Sequence, residues 1–83
     1  MTLSFKNSQG KMRLIREFDN LLSHKDILHL VQIEIDNFCA ERNYKIYYMR
    51  TWNTKYKDTT VTVFDVGSHT EFFYLSPSVN IEQ

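Results

Sequence analysis

Thr59-Thr60-Val61-Thr62-Val63-Phe64-Asp65-Val66 is the stretch that decides the fold. Six of its eight side chains branch at Cβ, which crowds the turns of a helix but packs well on a pleated surface, so a strand is expected over 59–66. Gly67 and Ser68 then turn the chain into a further strand, Thr70 to Leu75. Pro77 ends it, because proline has no amide to give to a ladder. Upstream, the polar run Thr54 to Asp58 predicts a loop. Before that loop, Tyr44, Ile46, Tyr48, Arg50 and Trp52 alternate with Lys45, Tyr47, Met49, Thr51 and Asn53, the period of an extended segment with two faces. The C-terminal half is therefore expected to be a meander of three antiparallel strands.

A helix precedes it. Ser23 with Asp26 three positions later resembles a capping box, which starts a helix near His24. At 100° per residue, Ile27, Leu28, Val31, Ile35, Phe38 and Cys39 fall on one third of the helix surface, the stripe of a core-facing helix. Leu30 and Ile33 lie off the stripe, either under the N-terminal segment or on a partner-binding surface. Asn43, tolerant of the left-handed conformation, is the expected C-terminal stop.

The first 22 residues admit two readings. Leu3 and Phe5, then Met12, Leu14 and Phe18, keep even spacing around the turn-rich Asn7-Ser8-Gln9-Gly10, which predicts a β-hairpin with Gly10 at a positive-φ position. Leu14, Ile15, Phe18, Leu21 and Leu22 also fit the stripe of a short helix. The hairpin reading gives an α+β domain of order ββαβββ, with one helix packed on one face of an antiparallel sheet. One domain is expected over 1–77, with a flexible tail over 78–83.

With 83 residues, the chain buries only about 60% of its unfolded surface and must pack densely. Cys39 is the only cysteine, so no disulfide can staple it, which suits a reducing compartment. Six Phe, five Tyr and Trp52 supply the bulk instead. His24, His29 and His69 with one thiol show no metal-ligand spacing, and two glycines are too few for a phosphate-cradling loop, so no metal or cofactor is expected. Ten basic and ten acidic side chains balance, which removes the broad attraction that nucleic acid and anionic membranes reward. The opening Met-Thr-Leu-Ser-Phe-Lys lacks the apolar run of a signal peptide and no stretch is long enough to span a membrane, so a soluble cytoplasmic protein is expected.

One helix covers one face of a sheet, yet both faces carry large side chains: Phe72 and Tyr74 oppose Phe73 and Leu75. The uncovered face is expected to show an aromatic patch for a partner unless the hairpin or a second copy of the chain, as a homodimer, packs there. Tyr48, Arg50, Trp52, Asp65, His69 and Phe72 are the candidate partner-binding residues, since arginine among aromatics is the usual composition of an interface hot spot. Arg50 and Asp65 on neighbouring strands can pair across the sheet. Asp65, Ser68, His69 and Glu71 include the residue types of a hydrolytic triad. A serine beside a histidine in a tight turn seldom converges with it, and a structural role on turn amides is the expected one, so no enzyme is read from this cluster. Lys45, Tyr47, Arg50, Lys55, Tyr56 and Lys57 form an alternative site, a basic and aromatic strand on which single-stranded nucleic acid could stack.

The segments Tyr47-Tyr48-Met49-Arg50-Thr51-Trp52 and Phe64-Asp65-Val66-Gly67-Ser68-His69-Thr70-Glu71-Phe72-Phe73 resemble a pattern in small proteins of phages and prophages of Gram-positive bacteria. The resemblance covers roughly the C-terminal half and transfers no catalytic residue. It implies a non-enzymatic protein that binds and redirects or inhibits a host protein, defence nucleases among them, in the cytoplasm of the host cell.

Overall fold

A computed structural model describes residues 1–77; the tail expected over 78–83 lies outside the described residues. The elements are β1 (Thr2–Lys6), β2 (Met12–Glu17), α1 (His24–Glu41), β3 (Arg50–Tyr56), β4 (Thr59–Asp65) and β5 (Phe72–Ser76), the expected order ββαβββ. The N-terminal ambiguity resolves to the hairpin. Its turn is held by the Asn7 side-chain oxygen, which accepts from the amides of Gln9 and Lys11 at 2.9 and 3.0 Å, and Gly10 takes φ +85°. After β2, Phe18 donates its amide to the Met1 carbonyl at 2.7 Å and buries its ring, so the apolar residues that fitted a short helix divide between strand and connection.

The helix starts as its cap dictates. Ser23 Oγ accepts from the Asp26 amide at 3.1 Å. The return bond of a full capping box is not among those of the described residues, consistent with aspartate being one methylene short of the usual glutamate. The C-terminus closes as a Schellman motif: Asn43, at φ +58°, donates to the Ala40 carbonyl and Tyr44 donates to that of Cys39. Ile27, Val31, Ile35, Phe38 and Cys39 are buried. Leu28 is a correction to the expected stripe, since it lies at the margin and is exposed. Leu30 packs against the core, whereas Ile33 faces solvent.

All five strands join one antiparallel sheet in the order β2-β1-β5-β4-β3. The C-terminal strand thus inserts between the hairpin and the rest of the meander, with Leu3 opposite Leu75 and Phe5 opposite Phe73. The helix carries the chain from one sheet edge to the other. Its 18 residues rise about 27 Å at ~1.5 Å each, more than the roughly 19 Å that four strand spacings of ~4.8 Å require, so it crosses the face obliquely. Beneath it Phe5, Phe38 and Phe73 meet with ring centroids 4.6 to 5.4 Å apart, alongside buried Leu3, Phe64 and Leu75.

The third segment differs from its expectation at both ends. The strand expected from Tyr44 begins only at Arg50, because Tyr44 is held by the helix cap and the Tyr47 amide donates to Val66 in the connection after β4. Residues 44–49 are therefore spent in crossing to the sheet edge. The loop expected over Thr54 to Asp58 shrinks to two residues, Lys57 and Asp58, both left-handed at φ +50° and +65°. That is the turn whose twist suits a tight hairpin, and it frees Thr54, Lys55 and Tyr56 to pair with Val61, Thr60 and Thr59. The following strands also shift by a residue or two, ending at Asp65 and running from Phe72 to Ser76.

Candidate partner-binding face

Strand alternation sends Leu3, Phe5, Phe64, Phe73 and Leu75 toward the helix and the intervening residues to the other face. The register strings those across the whole sheet. Leu14, Ser4, Tyr74, Val63 and Trp52 oppose one another in turn, one from each strand. Lys6 opposite Phe72 and Arg50 opposite Asp65 continue the neighbouring rows. Among the described residues no helix lies over this face, and its large side chains are part or fully exposed: Leu14 at 60%, Met12 at 45%, Tyr56 at 43% and Trp52 at 38%. Val61 and Val63 are nevertheless buried, Val63 between Trp52 and Tyr74 in the row. Lys6, Gly10 and Met12 of the N-terminal hairpin, Tyr74 of β5 and Thr54, Lys55 and Tyr56 of β3 line a single hollow of about 440 Å³.

Four of the six expected binding residues form one contiguous chain of contacts here. Arg50 donates to Asp65 Oδ2 at 3.2 Å and its guanidinium lies 5.0 Å from the Trp52 ring centroid. Trp52 in turn meets Phe72 edge-on at 6.1 Å. Asp65 is fully buried, and its second oxygen accepts from the Gly67 amide at 2.8 Å. The carboxylate thus holds the guanidinium at the sheet surface, with the Arg50 side chain still 61% exposed. Tyr48 and His69 make a ring pair of their own at 6.3 Å, on the segments before β3 and after β4.

The alternative, basic set is divided. Lys45 sits over Tyr47 at 5.0 Å on the crossing segment, and Lys57 over Tyr56 at 5.5 Å at the far hairpin turn. Arg50 and Tyr56 stand at opposite ends of β3, about 20 Å apart at ~3.3 Å per residue. Lys55 alternates with Thr54 and Tyr56 along the strand and lines the same hollow as they do, at the far end of β3 from Arg50.

In the triad-like cluster the side-chain oxygens of Ser68 and Asp65 are committed to structural partners. Ser68 Oγ donates to the Glu71 carbonyl at 2.8 Å and accepts from the Glu71 amide at 2.9 Å, while Asp65 serves Gly67 and Arg50. Cys39 is buried, and burial first and the Asp36 carboxylate second push its thiol above the ordinary value, against a lowering by Arg42. Among the described residues no helix is long and apolar enough to cross a membrane, and no cluster of His, Cys, Asp and Glu is placed to hold a metal ion.

Reading the sequence alone missed Met12, Leu14 and Tyr74 as members of this face. The period-2 pattern of β2 carries the first two, but only the β1–β5 pairing sets them beside Tyr74 and the Trp52–Phe72 pair. No protein-family model, curated protein or solved structure matches this chain.

Proposed function

We propose that this chain is a non-enzymatic protein-binding module that presents the open face of its sheet to a partner protein. The observation that carries the reading is the transverse row on the face away from the helix, in which Leu14, Tyr74 and Trp52 stand wholly or partly exposed around buried Ser4 and Val63. Apolar area of this kind, rimmed by Lys6 and by an arginine pinned to a buried carboxylate, has the composition of an interface centre: aromatic anchors, one oriented guanidinium and little side-chain entropy left to lose. The phage-like pattern of the C-terminal half supports a protein of the host cell as the partner, in the cytoplasm, with a defence nuclease the first class to try. The activity would then be inhibition or redirection by occupancy.

The test is capture from host lysate by tagged wild-type chain, run beside Trp52→Ala and Leu14→Glu variants whose folding is checked by circular dichroism. Saturable capture of one protein, lost in both folded variants, is the expected result. Capture that survives both substitutions removes binding from this face. The nucleic-acid alternative has less support, because its cations fall into two groups at the ends of β3. A single-stranded oligonucleotide that binds at low salt and is released as salt rises would restore it.

A further inference from the structure

The two edges of the sheet are not equivalent. On β2 the pairing with β1 carries an irregularity between Leu3 and Ser4, the strand holds Arg13, Arg16 and Glu17, and Arg16 reaches to Glu34 of the helix at 2.8 Å. Bulges and charges of this kind keep other strands away. On β3 the ladder to β4 is continuous over seven pairs, from Arg50–Asp65 to Tyr56–Thr59, and all seven residues are exposed. The strand has no proline and no bulge. Because a two-residue turn closes on a hydrogen-bonded pair, Tyr56, Thr54, Trp52 and Arg50 spend their main-chain groups on β4. Thr51, Asn53 and Lys55 then direct their N–H and C=O outward, unpaired among the described residues.

We propose that β3 pairs antiparallel with β3 of a second copy of this chain, about a twofold axis at Thr54, to make a continuous ten-stranded sheet. A twofold perpendicular to the sheet keeps each side chain on its own face, so even residues oppose even ones and odd oppose odd. Centred on Thr54, the strand is self-complementary. Trp52 faces Tyr56 of the other copy twice over, in the closer, non-hydrogen-bonded type of pair that suits ring contacts. Arg50 comes opposite Asp58, Asn53 opposite Lys55, Thr51 opposite Lys57 and Thr54 opposite itself. No like charges are directly opposed, and the outward groups of Asn53 and Lys55 satisfy one another. Within the strand, centring on Trp52 instead leaves one aromatic pair, Trp52 against itself, and loses both opposite-charge pairs, while centring on Asn53 loses the aromatic and the opposite-charge pairs alike. The two open faces would join edge to edge, doubling the apolar surface available to a partner. The dimer needs no partner to form but shares Trp52 and Arg50 with the partner-binding face, whereas Leu14, on the opposite edge strand, belongs to that face alone.

The test uses the full chain alone. Sedimentation velocity over a rising concentration series is expected to show a monomer passing to a dimer. Asn53→Pro removes an outward amide and spares the ladder to β4; it should leave a folded monomer by circular dichroism. Thr54→Cys places two thiols across the axis and should form a covalent dimer under mild oxidation, with Cys39 buried and out of reach, whereas Asn53→Cys should not. A wild-type chain that stays monomeric throughout overturns the proposal. So does a dimer that survives Asn53→Pro, or one that cross-links through Asn53→Cys in preference to Thr54→Cys.

Discussion

Gly67 carries two constraints at once. Its φ of +104° lies where only glycine is unstrained, and a Cβ built there would stand 2.8 Å from Cβ of Tyr47. Its amide also satisfies the buried Asp65 carboxylate that orients Arg50. Gly67→Ala is therefore expected to lower stability by about 1–3 kcal/mol and to blunt partner capture through displacement of the Arg50–Asp65 pair; urea unfolding checks the first effect. Cys39 gives a pH signature. Its thiol holds its proton to higher pH in the folded chain than in the unfolded one, so its contribution is full below the ordinary thiol value and is lost as pH rises toward the raised one. Urea midpoints should fall on the alkaline side of the ordinary value, and Cys39→Ala should flatten that slope. A slope unchanged in the variant would assign it to other groups.

Among the elements, the helix is closed by local chemistry at both ends. Ser23→Ala removes the side-chain acceptor of the Asp26 amide and should cost about 0.5–2 kcal/mol. Asn43→Gly keeps the left-handed C-terminal position with less backbone strain, and a small gain in melting temperature is expected. The hairpin of β3 and β4 behaves differently, because its outer strand has the sheet on one side only. Hydrogen exchange should find the outward amides of Thr51, Asn53 and Lys55 quick in dilute protein and slowed at concentrations where the dimer forms, while the amides of β5, flanked by β1 and β4, stay protected in both. Equal exchange at all concentrations would leave the β3 edge open.

Over the whole molecule, the two faces of one sheet have opposite energetic character. Phe73, buried at 1% exposure between Phe5 and Phe38, should cost about 3–5 kcal/mol as Phe73→Ala. Leu14→Glu on the open face should change stability by no more than about 0.5 kcal/mol while abolishing capture of the partner. Denaturant curves on both variants test this contrast, and a large loss from Leu14→Glu would move that face into the core.

The sequence by itself determined the element order from the capped helix onward and the β-branched strand, since periodicity, Ser23, Asn43 and Gly67 act within a few residues of where they stand, while the first 22 residues fitted hairpin and helix alike. It also pointed to Arg50, Asp65, Trp52 and Phe72, which the register of β3, β4 and β5 sets on one face of adjacent strands. It misplaced the start of β3, because the Tyr44 amide closes the helix on Cys39 and the Tyr47 amide is taken by Val66 after β4, and it read as loop the residues that a left-handed Lys57–Asp58 turn leaves free to pair with β4. Only the tertiary structure decided that β5 inserts beside β1, and that pairing alone sets Met12, Leu14 and Tyr74 beside Trp52. The physical reason is that strand neighbours are chosen by long-range matching of apolar faces, Leu3 to Leu75 and Phe5 to Phe73, which no local pattern encodes.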